Sequence, residues 1–249
     1  APILLKAAER FMKSLARALL LVLCAGLLLQ LFFVLRIALM VVVDPESTAF
    51  QRSEAWQMLR SSEGLHWSQQ WLPYDRIAPT LKRAVIASED DSFTEHHGVQ
   101  WEAIEKAWQR NQRAEARAMK ADNGKAPKIY GGSTITQQLA KNLLLSGERS
   151  LLRKGQELVL TQLLELMLSK QRILEIYLNS VEWGQGVFGA EAAARHYFRK
   201  SASQLSAAEA ARLAVMLPQP KRFEKLPNSG YLLQRTRTVM QRMPSAVVP

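Results

Sequence analysis

Three adjacent carboxylates stand in the segment IASEDDSFTEHHG, residues 86–98, at Glu89, Asp90 and Asp91. Glu89 follows an apolar run, and both burial beside that run and the neighbouring acids would favour the protonated form of its carboxyl group. A carboxyl group with a raised pKa can serve as a general base near neutral pH. The alternative is an acidic turn on the surface, which this segment taken alone favours, so both interpretations stay open here.

A second candidate segment is GGSTITQQLAKN, residues 131–142, in which two glycines lead into a predicted helix. Thr134, Gln138 and Lys141 share one face of that helix, and apolar residues fill the other. A solvated face would usually carry Glu and Lys, whereas this face offers a hydroxyl, an amide and one cation near a helix N-terminus, where free N–H groups favour anions. The segment suggests an anion or phosphate site, with a solvated face as the alternative. It is not a Walker A loop, because no Gly-Lys-Ser/Thr closes it.

The third candidate segment, SLLRKGQELVLTQLLELMLSK, covers residues 150–170. Apolar residues occupy about two thirds of its helical wheel, which predicts a largely buried helix. Arg153 and Glu157 share the narrow polar stripe with Thr161. Because buried charges need partners, this stripe should face either a structural ion pair or a polar cavity.

One further motif matches a dinucleotide-binding pattern but lacks the predicted secondary structure that such a site requires. Gly184, Gly186 and Gly189 fit the G-x-G-x-x-G dinucleotide pattern. The residues before it indicate a helix end and a turn, and no βαβ alternation surrounds it. We therefore interpret the glycines as a turn that leads into the helix AEAAARHYF.

The sequence predicts no metal site. Its histidines lack H-E-x-x-H spacing or a cysteine partner, and thiolate sites are excluded because Cys24 is the one cysteine. The same count excludes disulfides, so the chain must rely on its core. The histidines are His66, His96, His97 and His196.

The elements that must position these residues are predicted to be helices. Ser206-Ala-Ala-Glu209 is a capping-box pattern, and Pro218 and Pro220 end the helix that follows it. The segment KADNGKAPKIYGG is basic and rich in helix breakers, which predicts a mobile loop. No run alternates as a strand, so the predicted fold class is all-α. Helical spacing or caps occur near residues 46–60, 79–88, 100–119, 134–145, 150–168, 170–179, 189–198, 206–217 and 230–243.

An apolar run without charge extends from Ala18 to Leu35 and would be about 27 Å long as a helix, close to the thickness of a bilayer core. A cleaved signal peptide is the competing interpretation, but the run is long for one and no A-x-A site follows it. Basic residues precede the run, so the positive-inside rule predicts a cytoplasmic segment 1–17, a transmembrane anchor 18–43 and an extracytoplasmic domain 44–249. The basic residues are Lys6, Arg10, Lys13 and Arg17, with only Glu9 against them.

The formal net charge is +11, from 33 Lys and Arg against 22 Asp and Glu. Such a surface favours anionic lipid headgroups or an anionic ligand. Nucleic acid is the other polyanion, but an external domain tethered to a membrane seldom meets it. We therefore predict no nucleic-acid partner.

Taken in order, the segments closely resemble the peptidoglycan glycosyltransferases of glycosyltransferase family 51. The family motif E-D-x-x-F-x-x-H-x-G stands at residues 89–98, and G-G-S-T-I-T-Q-Q-L-x-K-N at 131–142. R-K-x-x-E stands at 153–157, I-L-E-x-Y-L-N at 173–179 and G-x-x-x-A-A-x-x-Y-F at 189–198. The long basic stretch between the first two motifs departs from the family pattern, so details of that loop do not carry over.

The resemblance implies a lysozyme-like, mostly helical domain with two lobes, the smaller of which dips into the membrane. It implies that Glu89 accepts the proton of the acceptor sugar's 4-hydroxyl, while Lys141 and Arg153 hold the diphosphate of the leaving group. Glu157, the second predicted catalytic residue, would orient these cations or the leaving group. The residues implied to shape the sugar sites are Asp90, Phe93, His96, Thr134 and Gln138.

The implied reaction polymerises lipid II at a bacterial cytoplasmic membrane, with inversion at the anomeric carbon and release of undecaprenyl pyrophosphate. The chain lacks the S-x-x-K and K-T-G motifs of a transpeptidase, so it resembles the monofunctional type.

Implied partners are lipid II, the nascent glycan strand, the bilayer and other cell-wall synthesis or division proteins. The sequence requires no cofactor, although some family members use Mg²⁺ or Mn²⁺. Two rivals stay open: a lysozyme-like hydrolase or lytic transglycosylase, and a noncatalytic membrane scaffold.

Overall fold

The computed structural model describes residues 2–61, 64–121, 132–145 and 150–249. The chain divides into two compact units, Ala1–Val43 and Asp44–Pro249. The first unit contains helix α1, Pro2–Leu39, which continues without a break from the predicted cytoplasmic segment into the predicted anchor and ends four residues before residue 43, the predicted end of that anchor. Within α1, the span Arg10–Leu39 contains an 18-residue window with a mean hydropathy of 2.8, so by length and composition this helix can cross a membrane.

The second unit is built mainly from helices, which confirms the all-α prediction. The two-lobed, lysozyme-like arrangement stays a prediction. The helices described in this unit are α2 (Ala49–Arg60), α3 (Pro79–Glu89), α4 (Trp101–Ala121), α5 (Ile135–Leu144), α6 (Leu151–Met167), α7 (Lys170–Ser180), α8 (Ala190–Phe198), α9 (Ala207–Met216), α10 (Pro220–Lys225) and α11 (Gly230–Arg242).

Helix α3 packs against α9 and α11, while α5 packs against α2, α6 and α7. The interior is filled by large side chains that are fully buried. Burying apolar area on this scale is the main favourable contribution to folding. The largest of these side chains are Trp183, Tyr177, Phe93 and Phe188.

Three short strands and the helix α10 were not predicted from the sequence. The strands are β1 (Ser68–Gln69), β2 (Glu182–Gly184) and β3 (Val187–Phe188), in the order β1-β3-β2. β1 pairs with β3 in parallel, and β2 pairs with β3 antiparallel. Strands of two or three residues are too short to show a period of two, which is why the pattern gave no signal.

The G-x-G-x-x-G pattern forms this hairpin and the start of α8, in agreement with its interpretation as a turn. Gly186 has a φ of +71°, and a Cβ there would lie 1.8 Å from the carbonyl oxygen of His66. Gly189, with a φ of +83°, precedes α8 directly. Glycine is required at both positions for the turn and the close packing rather than for a dinucleotide.

Hydrogen-bonded capping boxes begin three helices. The Ser206 side chain accepts from the Glu209 N–H, and the Glu209 side chain accepts in return, as predicted. Thr48 begins α2 and Thr134 begins α5 in the same way, with Gln in place of Glu. These caps satisfy N–H groups that a helix leaves open at its first turn.

The prediction that α6 is largely buried is wrong. Leu152 and Leu166 are 89% and 82% exposed, and Leu158 and Val159 are also exposed. The wheel counts apolar positions but does not show how many sides of a helix have neighbours. α6 packs against α5 and α7 and leaves an apolar face uncovered within the described part of this unit.

The predicted mobile loop KADNGKAPKIYGG lies outside the described residues, apart from its two ends.

Candidate active site

Four of the predicted site residues line one cavity of about 550 Å³. Glu89 comes from the end of α3, Gln138 and Lys141 come from α5, and Arg153 comes from the first turn of α6. The fold thus brings a carboxylate and two cations together from segments that are far apart in the sequence. Their joint presence fits a site that binds an anion and removes a proton.

Glu89 keeps part of its surface open to this cavity, while protein atoms surround it closely. Burial raises the pKa of the Glu89 carboxyl above its usual value. Hydrogen bonds from Gln138 and Ser88 and the nearby Arg235 lower this pKa, and the charge of Asp90 makes the smallest contribution, which raises it. Burial therefore outweighs the neighbouring acids as the cause of the predicted shift.

Gln138 connects Glu89 to a buried tyrosine. The Gln138 amide nitrogen Nε2 donates to Glu89 Oε2 at 2.9 Å, and the Tyr177 hydroxyl donates to Gln138 Oε1 at 2.9 Å. Burial raises the pKa of Tyr177 well above its usual value, so its hydroxyl keeps its proton. The tyrosine donor thereby fixes the orientation of the amide and directs its N–H₂ group toward Glu89.

Asp90 connects the acidic loop, residues 90–98, to the start of α5. It is 5% exposed, and its Oδ2 accepts from the Ile135 N–H at 3.0 Å. Its Oδ1 lies 2.8 Å from His96 Nε2. Because His96 Nδ1 accepts from the Gly98 N–H at 3.1 Å, Nε2 carries the ring proton and donates it to Asp90.

Thr134 and Phe93 are buried as well. The Thr134 hydroxyl donates to the Gly98 carbonyl oxygen at 2.6 Å while it caps α5. Phe93 is 0% exposed, and the Lys170 ammonium lies 4.6 Å from its ring centroid. Phe93, Asp90, His96 and Thr134 do not line the 550 Å³ cavity, although Asp90 and Thr134 border a smaller pocket of about 170 Å³ beside Glu89. In this structure they hold the loop and helix that carry the cavity residues.

Arg153 and Glu157 form the ion pair that their spacing suggested. Arg153 Nη1 lies 3.3 Å from Glu157 Oε2, and Lys154 also pairs with Glu157. Glu157 is 4% exposed and lies behind these cations rather than on the cavity wall. The Nε atom of Arg153 is buried without a hydrogen-bond partner among the described residues, which leaves a donor for a ligand.

Sequence reasoning missed the contacts of four residues around this site. Asp91, which had no assigned role, pairs with Arg242 of α11 at 2.7 Å on the surface. Arg235 of α11 and Glu182 of β2 reach the site from segments with no motif of their own. Tyr177 belongs to the I-L-E-x-Y-L-N motif, which was the one available signal for its role.

The comparison with known proteins identifies the family of the chain. The sequence profile of the Transglycosylase family matches residues 57–244. The chain therefore belongs to the transglycosylase family, a family of glycosyltransferases.

The names of the proteins that the chain resembles are more specific than the name of the family. It is 53% identical over 228 residues to the biosynthetic peptidoglycan transglycosylase of Bordetella pertussis, which covers 92% of this chain and 91% of that protein. It is 51% identical to the proteins of the same name from Paraburkholderia xenovorans and from Janthinobacterium sp.. Those matches each cover 90% of this chain and 89% and 92% of the relatives.

Proposed function

We propose that the protein polymerises the glycan strands of peptidoglycan from lipid II and releases undecaprenyl pyrophosphate. The observation that carries this proposal is the shared cavity, in which Glu89, Lys141 and Arg153 meet. A glycosyl transfer from a lipid diphosphate needs a proton acceptor for the attacking hydroxyl and positive charge for the departing diphosphate. The cavity supplies both, and the family and its named relatives agree with that chemistry.

In the proposed reaction the 4-hydroxyl of the acceptor sugar attacks the anomeric carbon of the growing chain. A carbon–oxygen bond forms on one face while the bond to the diphosphate oxygen breaks on the other, so the configuration inverts to a β-1,4 linkage. The hydroxyl proton passes to the ionised Glu89 carboxylate, and the electron pair of the broken bond leaves with the diphosphate. General-base catalysis of this kind contributes about 10² to 10⁴ in rate.

Lys141 and Arg153 are proposed to hold the diphosphate. Negative charge on its oxygen grows as the bond breaks, so cations placed beforehand favour the transition state over the ground state. The Nε donor of Arg153, which has no hydrogen-bond partner among the described residues, suits this role. Glu157 pairs with Arg153 and Lys154, which supports a role in orienting these cations rather than in touching the sugar.

We place the chain at a bacterial cytoplasmic membrane, with α1 as a single anchor, its N-terminus in the cytoplasm and residues 44–249 outside. The basic residues before the apolar run support this topology. In the second unit, the exposed apolar side chains of α4 and α6 support a surface that enters the lipid. They include Trp101 and Trp108, which are 69% and 66% exposed, and Leu166.

A bound divalent cation does not fit the side chains described. Within the described residues there is no group of three or more His, Cys, Asp or Glu side chains that could hold a metal. Of the described carboxylates, Glu89 and Glu182 line the cavity, which is fewer than such a group needs. Those of Glu157 and Asp90 nearby already pair with Arg153, Lys154 and His96. We therefore propose that the protein needs no resident metal and derive no step through one.

Incubation of the purified protein with labelled lipid II tests the proposal. We expect polymeric glycan with the lipid diphosphate released in equal amount to the linkages formed. A lysozyme-like hydrolase or lytic transglycosylase would instead shorten preformed strands, and a scaffold would change neither substrate. Either of those results would overturn the proposed function.

A further inference from the structure

The cavity that contains Glu89 has a second carboxylate in its wall. Glu182 begins β2 and lines the same cavity, although it belongs to none of the candidate segments. It is 6% exposed, so its side chain is almost fully enclosed. A buried carboxylate normally has all its oxygens paired, because burial without a partner is costly.

Glu182 lacks that full set of partners. Its Oε1 atom is buried and has no hydrogen bond from any described residue. The nearest cation is Lys221 of α10, whose ammonium lies 3.4 Å from Oε1. The same ammonium makes its shorter contact with Glu54 of α2, a hydrogen bond of 2.5 Å, so it lies between the two carboxylates. Glu182 therefore keeps an acceptor oxygen beside the cavity while Lys221 stays close to it.

We propose that Glu182 is a substrate-binding residue whose Oε1 accepts a hydrogen bond from a hydroxyl or acetamido N–H of the sugar held next to Glu89. The inference rests on the proposed function, because it takes the occupant of the cavity to be the disaccharide of lipid II. A hydroxyl or amide N–H on the substrate supplies the donor that Oε1 lacks in the free protein. Such a contact adds affinity and orients the sugar, but it moves no proton.

The charge of Glu182 should change near neutral pH. Burial is the main cause that raises its pKa to about 7, Glu54 also raises it, and Lys221 and a backbone hydrogen bond from Gly186 lower it. The other titratable groups nearby are on α8, α10 and the cavity wall: Tyr197, Glu224, Glu89, Lys141 and Arg153. Above neutral pH the carboxylate is ionised and accepts a stronger, charge-assisted hydrogen bond. Substrate affinity should therefore rise as pH increases through this range.

The test measures KM and kcat for lipid II from pH 6 to 8.5 in the parent protein and in Glu182→Gln. Lipid II binding at equilibrium is measured alongside, so that affinity is known apart from turnover. At pH 8 we expect the variant to raise KM and Kd by about tenfold or more. We expect kcat within about threefold of the parent, because Glu89 still accepts the proton. The KM of the variant should be nearly constant across neutral pH.

Two variants of the same ion cluster serve as controls. Glu54→Gln removes the other carboxylate that pairs with Lys221. Because Glu54 does not line the cavity, KM at pH 8 should stay within about twofold of the parent value. The loss of that like charge should move the midpoint of the KM profile to lower pH. Lys221→Met removes the cation and should move the midpoint to higher pH. A purely structural role for Glu182 would predict none of these opposite displacements.

The outcomes separate the two proposals. If the parent neither binds nor polymerises lipid II, the proposed function fails. If the parent does both and Glu182→Gln keeps the parent's KM and its pH dependence, the function stands and the role of Glu182 is wrong. If Glu182→Gln unfolds, the displacements in Glu54→Gln and Lys221→Met still decide the question, because both leave Glu182 in place.

Discussion

At the scale of single residues, the environment of Glu89 distinguishes a general base from a surface acid. Asp91 stands two residues away with the same functional group, yet it lies on the surface and pairs with Arg242. Glu89 is enclosed by α3 and α5, and burial raises its pKa. The sequence could show the carboxylates, but only the fold shows which of them is desolvated.

The acid limb of the pH–rate profile should follow Glu89. Its carboxyl must be ionised to accept a proton, so a raised pKa means that kcat increases with pH above the usual carboxyl range. Arg235 favours the ionised form. Arg235→Gln should therefore displace this limb to higher pH, as measured by kcat at saturating lipid II. Arg237→Gln, an exposed arginine on the same helix, should leave the limb in place. If Arg235→Gln left the acid limb unchanged, the limb would not report the ionisation of Glu89.

The cation pair on α6 offers a matched comparison for the diphosphate site. Arg153 and Lys154 both pair with Glu157, but only Arg153 lines the cavity. Arg153→Ala should weaken the binding of lipid pyrophosphate by about tenfold or more, since it removes a charge-assisted contact. Lys154→Ala should change it by less than about twofold. Calorimetric titration measures both, and equal losses would mean that the two act only through Glu157.

At the scale of elements, the sequence predicted most helices to within a few residues. Caps and apolar periodicity are local signals, and Ser206 is the clearest example. The roles of Asp90 and Thr134 were not predictable, because they depend on contacts between the acidic loop and α5. The prediction that α6 is largely buried was wrong for the same reason, because burial depends on neighbouring elements that the helical wheel of one segment does not contain.

Two glycines test how tightly the acidic loop is held. Gly98 has a φ of +80°, and a Cβ there would lie 2.6 Å from Thr161 Cγ2 and 2.9 Å from Glu165 Cγ. Gly98→Ala should lower the free energy of unfolding by about 1–3 kcal/mol. Gly155→Ala, in the exposed face of α6 with nothing within 4 Å of the added Cβ, should raise it by about 0.5–1 kcal/mol. Denaturant titration measures both. An unchanged free energy of unfolding in Gly98→Ala would mean that the loop can shift to accommodate the added Cβ.

At the scale of the whole molecule, apolar surface occurs in both units. α1 is exposed along most of its apolar run, and the second unit exposes Trp101 and Trp108 on α4. Exposed apolar patches on a basic protein are typical of a protein that works at an anionic membrane. The sequence predicted the anchor from one continuous run, whereas the exposed residues of the second unit could be recognised only in the folded protein.

Insertion of the second unit into the lipid bilayer can be measured by the quenching of tryptophan fluorescence with brominated lipids. In anionic vesicles, the full-length protein should lose fluorescence, because Trp101 and Trp108 enter the lipid. The double variant with Phe at these two positions should lose most of this quenching. Trp183→Phe should leave the quenched fraction nearly intact, since Trp183 is fully buried in the protein. Equal quenching in the parent and the double variant would contradict an inserted α4.

The central claim is that Glu89 accepts the proton in glycan polymerisation. Its direct test is the rate of lipid II polymerisation by Glu89→Gln. The amide keeps an oxygen for the Gln138 N–H₂ group but cannot accept the proton. Asp91→Asn is the matched control, because its exposed ion pair contributes at most about 1 kcal/mol to stability.

We expect the polymerisation rate of Glu89→Gln to fall by about 10²-fold or more, while that of Asp91→Asn stays within about twofold. The Tm of Glu89→Gln at neutral pH should be equal to or above that of the parent. A carboxyl whose pKa is raised in the folded protein destabilises it once pH exceeds the unfolded pKa, and the amide removes that buried charge. Polymerisation near the parent rate by a folded Glu89→Gln would contradict the account.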